Sequence, residues 1–121
     1  MREQRYDNSI TRSKSKAFAL RIIKFVRLLQ DDERGRVISK QLLRSGTSIG
    51  ANVRESYNAQ SKADFINKLE IALKESFETE YWLELLIESG YYEDKTILEQ
   101  CIEVKKLLIA SLNTAKRNLK R

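Results

Sequence analysis

The sequence contains no histidine and no proline, a single cysteine and only four glycines. Without histidine, the Glu-x-x-His ligand pairs of di-metal helical bundles are missing, and neither Cys101 nor any serine has the usual base for nucleophilic catalysis. The expectation is a protein that is not an enzyme and uses no cofactor or metal. With proline absent and glycine scarce, little interrupts long helices. One cysteine excludes an intramolecular disulfide framework and suits a reducing compartment. No apolar run approaches the roughly 18 residues of a membrane span. The polar opening Met1–Asp7 is unlike a signal peptide, so a cytoplasmic protein with no membrane partner is expected.

What is present is charge on helix-forming residues. Charged side chains make up 33% of the 121 residues, a soluble composition and a length that suits one domain, 1–121. The net charge of +6 is unevenly spread. Residues 1–46 hold 12 Lys/Arg against 5 Asp/Glu, residues 47–100 hold 5 against 11, and residues 101–121 hold 6 against 1. Basic ends and an acidic middle point to polyanion partners or to self-association through complementary patches, and equally suit a solvated surface.

Apolar periodicity predicts four helices at about 12–30, 36–58, 62–89 and 94–118. In the first, the polar positions Arg21, Lys24 and Arg27 form a narrow stripe, too narrow for an ordinary surface helix. That helix is expected to touch something beyond its own bundle. A turn is expected at Asp31–Gly35. In the second helix Ile38, Leu42, Ile49 and Val53 make the apolar stripe, and Gly46 and Gly50 lie four apart on one face. Each glycine costs about 1 kcal/mol against alanine in a helix interior. The cost is rational if the missing side chains permit close helix packing. A phosphate-binding loop is the alternative, but no strand precedes the segment and the Gly-Lys-Ser/Thr ending is missing.

Ser61, with Asp64 three residues on, reads as the start of the third helix. Phe65, Leu69, Ala72, Ser76, Thr79, Leu83 and Leu86 line its core face, widened by Ile66, Leu73 and Phe77, and Gly90 stops it. Its small middle, Ala72 to Thr79, is expected opposite the small middle of the second helix. Cys101, Val104, Leu108, Leu112, Ala115 and Leu119 line the fourth. Short connections between such helices predict an all-α, antiparallel up-down-up-down four-helix bundle.

If the second and third helices turn back near residues 59–60, Arg44 faces Glu75, and a structural ion pair is expected there. Glu75/Glu78 and Glu80/Glu84 share helix faces as solvated or ion-paired carboxylates. Asn52 is expected to be a hydrogen-bonded polar residue among small neighbours, with nucleotide reading as the lesser alternative. Tyr81-Trp82 and Tyr91-Tyr92 suit packing better than base stacking, because they lie in the acidic part of the chain and single-strand binders need a positive groove.

The segments Phe18-Ala19-Leu20, Leu42 to Asn52, Asp64-Phe65 with Lys68-Leu69, and Ala72-Leu73-Lys74-Glu75 leading to Glu78-Thr79-Glu80-Tyr81-Trp82-Leu83 carry a family resemblance over roughly residues 10–118. The chain resembles the bacterial four-helix-bundle family named after proteins encoded in intervening sequences of 23S ribosomal RNA genes. The resemblance implies a ring-like homopentamer and leaves the bundle's handedness open. It also implies a relative, the accessory protein of diversity-generating retroelements, a basic bundle that binds nucleic acid and a reverse transcriptase. No catalytic residues carry over.

The expected function is therefore non-enzymatic binding of RNA or other nucleic acid by an oligomer. The expected contacts are a basic flank on the first and fourth helices: Arg12, Lys14, Lys16, Arg21, Lys24 and Arg27, with Lys105, Lys106, Lys116, Arg117 and Lys120. The alternative is a protein-interaction scaffold whose charges serve ring assembly or a protein partner.

Overall fold

Apolar side chains recurring every three or four positions draw the chain into four long helices. The computed structural model describes residues 9–29 and 33–119, the second segment with side chains from Gly35 onward. The helices are α1 (Ser9–Leu29), α2 (Glu33–Ser56), α3 (Lys62–Glu88) and α4 (Thr96–Leu119). Each packs on its neighbours in the chain, and α1 closes the ring against α4. No diagonal pair brings its backbones as close among the described residues, so α3 lies across the core from α1. This is the antiparallel up-down-up-down four-helix bundle.

The core runs the length of the bundle. Phe18 and Ile22 of α1, Leu42 and Ile49 of α2, Leu69 and Leu83 of α3, and Val104 and Leu108 of α4 are buried. Each such side chain contributes about 1.5–3 kcal/mol by leaving water. Buried hydroxyls interrupt the apolar seam, and each finds a partner. Ser39, Ser56 and Ser76 donate to the carbonyls of Arg36, Val53 and Leu73. Thr79 Oγ1 lies 2.8 Å from the Glu75 carbonyl and 2.9 Å from Ser45 Oγ. Its hydroxyl donates to these two acceptors, the second of them across the α2–α3 seam.

Helix ends follow local chemistry. Ser61 caps α3, accepting from the Asp64 N–H at 3.0 Å. Beyond α3, Gly90 takes φ +80°. Its N–H donates to the Ile87 carbonyl and that of Tyr91 to Leu86, which satisfies the last turn. Asp94 lies before α4 and accepts from the Thr96 N–H at 2.9 Å. The fourth helix thus begins two residues later than the periodicity suggests.

Four expectations are corrected. The turn placed at Asp31–Gly35 is shorter: Glu33 to Gly35 are helical, and Asp31 and Asp32 lie outside the described residues. The small middle of α3 does meet that of α2, at Thr79 and Ser45, but Gly46 and Gly50 turn from it to face α1. A Cβ on Gly46 would stand 2.9 Å from Ile22 Cγ1, and one on Gly50 would stand 3.3 Å from the Ser15 carbonyl oxygen. The glycines therefore serve the α1–α2 seam. Phe77 does not widen the core of α3 but is 52% exposed, with the Lys105 ammonium 5.0 Å from its ring centre. Leu119 is exposed as well.

Candidate nucleic-acid interface

α1 carries six cations and no acid between Ser9 and Leu29. Where those cations point depends on their position around the helix. Lys14 and Arg21 turn toward α4 and meet acceptors. Lys14 Nζ lies 3.4 Å from Glu103. Arg21 donates to Gln100 at 2.9 Å and to Thr96, and lies 3.6 Å from Asp94. Backbone and hydroxyl donation from Thr96, and then the Arg21 charge, hold the Asp94 carboxyl below the usual carboxylate range.

On α4, Lys105 pairs with Glu80 at 2.7 Å and Lys116 with Glu70 at 3.0 Å, both across the α3–α4 seam. Lys106 and Arg117 are exposed, and Lys120 lies outside the described residues. The flank on α1 and α4 is thus compensated in part, at Lys14, Arg21, Lys105 and Lys116, by Glu103, Asp94, Glu80 and Glu70. Asp94, Glu70 and Glu80 come from the acidic middle of the chain and Glu103 from its basic end, and charge counts do not bring them within reach of the cations.

The remaining α1 cations face the other way. Arg12, Lys16 and Arg27 lie on the side toward α2, with Lys24 near the crest, and all four are exposed. On α2, Arg36, Lys40 and Arg54 are exposed beside them. None of these seven forms an ion pair within 4 Å among the described residues. The α2 acid Glu55 is turned to Lys68 of α3 at 3.1 Å. The uncompensated cationic face therefore belongs to α1 and α2.

Because the helices are antiparallel, Arg54 stands level with Arg12, and Lys40 with Arg27. Between Arg12, Lys16 and Arg54 runs a groove of about 500 Å³ over Ala19, Thr47, Gly50 and Ala51. The Arg12 guanidinium lies 4.7 Å above the Tyr57 ring, which fixes its direction. Thr47 Oγ1 donates to the Leu43 carbonyl at 2.7 Å and Ser13 Oγ to that of Ile10. Those hydroxyl protons are committed, so the three cations are the groove's charged donors. Arg36, Lys40 and Arg54 were missed because α2 was read for its glycines. Arg36, Lys40, Thr47, Ala51 and Arg54 nevertheless recur at spacings of three, four or seven, one helix face that periodicity alone reveals.

The other singled-out residues lie elsewhere. Arg44 Nη1 lies 3.2 Å from Glu75, and its other terminal nitrogen pairs with Glu78. Glu78 also accepts from Trp82 Nε1 at 3.2 Å. The bond from Arg44, helped by that from Trp82, holds the Glu78 carboxyl below its ordinary range against the opposing effect of burial. Asn52 donates to the Ser48 carbonyl and hydroxyl. Tyr92 packs edge-on against Phe25, ring centres 4.5 Å apart. Cys101 is buried with its thiol pushed up to about 12 by desolvation, then by Glu80. No described helix is long and apolar enough to cross a membrane.

No curated protein matches the chain. Among solved structures, it is similar to a protein of unknown function from the S23 ribosomal protein family of Bacteroides thetaiotaomicron VPI-5482. The two share 52% identity over 84% of this chain and 97% of that one, with a TM-score of 0.81. Residues 7–110 match the family described as 23S rRNA-intervening sequence protein. With nearly the whole bundle inside that match, the chain belongs to the 23S rRNA-intervening sequence protein family.

Proposed function

We propose that the protein is a non-enzymatic, homo-oligomeric binder of RNA or other nucleic acid, and that the α1–α2 face makes the contact. The observation that carries this reading is the set of seven exposed cations on one side of the bundle with no acid paired to them among the described residues. Such a face neutralises phosphates and releases their counterions, which gives affinity without sequence reading. Titration of a labelled RNA hairpin by fluorescence anisotropy at several salt concentrations tests it. Engagement of five to seven phosphates gives a log–log salt slope of about −5. Replacing Arg12, Lys16 and Arg54 together by glutamate should lower affinity at least tenfold. Absence of binding at low salt, or unchanged binding by that variant, overturns the assignment.

A second reading is a protein-interaction scaffold, favoured by exposed apolar residues away from the groove. Phe77 and Tyr81 of α3 and Leu28 of α1 are each more than half exposed. Under that reading the chain binds no nucleic acid at low salt, and the cationic face meets an acidic protein surface.

A further inference from the structure

The cations of the α1–α2 face are not spread evenly along it. Arg12, Lys16 and Arg54 stand at one end, and Lys24, Arg27, Arg36 and Lys40 at the other. Along α1, at 1.5 Å per residue, the two groups are about 12 to 22 Å apart. The waist between them is uncharged: Ala19, Leu20, Ile23, Leu43 and Thr47. Leu20 and Ile23 are 53% and 42% exposed there. Two packed helices form this ridge, each about 10–12 Å across with axes about 8–10 Å apart, so it is roughly 20 Å broad.

We infer, building on the nucleic-acid reading above, that the ligand is an A-form RNA duplex and that the ridge lies across its minor groove, one cationic end on each phosphate backbone. Breadth decides against B-form DNA. Its major groove, about 12 Å wide, admits one helix, and its minor groove is about 6 Å wide. A ridge two helices broad enters neither. The A-form minor groove is wide and shallow and displays ribose hydroxyls between the two phosphate rows. A flat surface with charge at both ends and small or apolar groups between fits that pattern. Aromatic placement decides against a single strand, which is gripped by exposed rings stacking on bases. On α1, Phe18 and Phe25 are buried in the core. Tyr57, beside the ridge, lies under the Arg12 guanidinium. Tyr57 is 42% exposed, but the cation covers one face of its ring, and the more exposed rings Phe77 and Tyr81 belong to α3, across the bundle.

The test compares three probes on the full chain: a 20-base-pair RNA duplex, the DNA duplex of the same sequence, and one RNA strand of it made unable to fold. Variants reverse charge at one end (Arg12→Glu with Lys16→Glu), at the other (Arg27→Glu with Lys40→Glu), or on α4 as a control (Lys106→Glu with Arg117→Glu). All of these positions are exposed, and circular dichroism verifies the fold of each variant. The expected result is RNA duplex bound at least tenfold tighter than either other probe. Reversal at either end should remove that preference, and the α4 control should bind within twofold of the parent. Equal affinity for DNA and RNA duplex, or preference for the single strand, overturns the groove geometry and leaves nucleic-acid binding standing. Loss confined to one end also overturns it. Failure to bind any probe at low salt removes the underlying reading and the geometry with it.

Discussion

Two glycines of this chain serve opposite purposes, and their substitution separates those purposes. Gly46 stands against Ile22, with room for no further carbon, since a Cβ would lie 2.9 and 3.0 Å from its Cγ atoms. Gly90 faces open space but holds φ +80°. Alanine at 46 gains about 1 kcal/mol of helix propensity and loses about 1–3 to overpacking, a net loss of about 1 kcal/mol. Alanine at 90 loses about 1–2 kcal/mol to backbone conformation alone. Urea unfolding should show both losses at unchanged m-value. The background variant Ile22→Ala distinguishes them: it should cancel the cost at 46 and leave the cost at 90 intact. A cost at 46 that persists in that background would place its cause in the backbone. The sequence announced both residues as special. That α1, and not α3, is the helix brought close at Gly46 was not readable, because spacing gives a face but not its neighbour.

At the scale of the helix, each core stripe was legible from apolar spacing, since burial enforces a period of 3.6 residues. The misreadings fall at stripe edges. Phe77 has the right residue type, yet it lies far enough round α3 to reach solvent, where Lys105 covers it. The link between α2 and α3 through Arg44, Glu75 and Glu78 has a pH signature. The Glu78 carboxyl titrates below its ordinary value in the folded protein. Its stabilising contribution is therefore complete above the unfolded carboxyl pKa of about 4.3, and it is lost as pH falls through the lower folded value. The Glu78 side chain is 33% exposed and that of Arg44 50%, so solvent screening keeps the contribution below about 1 kcal/mol. Between pH 6 and pH 3 the parent should lose slightly more stability than Glu78→Gln in urea titrations. A larger loss in the variant would contradict the assigned direction.

At the scale of the molecule, bundle topology followed from helix number and short turns, while the charged surface did not follow from charge counts. The counts named the basic ends of the chain, and α1 does supply four of the seven cations of the α1–α2 face that form no ion pair among the described residues. The other three come from α2. The basic residues of α4 that were expected to join α1 are in part taken up by Glu70 and Glu80. Pairing across a helix seam depends on rotation about each axis, which composition averages away. The seam between α1 and α4 has its own character. Alongside the core, polar links tie it together: Thr11 with Ser111, Lys14 with Glu103, and Arg21 with Gln100. These links also bring the start of α1 beside the end of α4. The four seams form a closed circuit, and no seam depends on which link of the chain happens to be open. A circularly permuted chain, cut in the turn between α2 and α3 near Gln60 and joined by a flexible linker from the end of α4 to the start of α1, should fold to the same helix content. Its urea midpoint should be lower, since Ser61 would cap a helix at a free end, but its transition should remain single and cooperative. Chain order in this bundle is then a route through the architecture and not its cause.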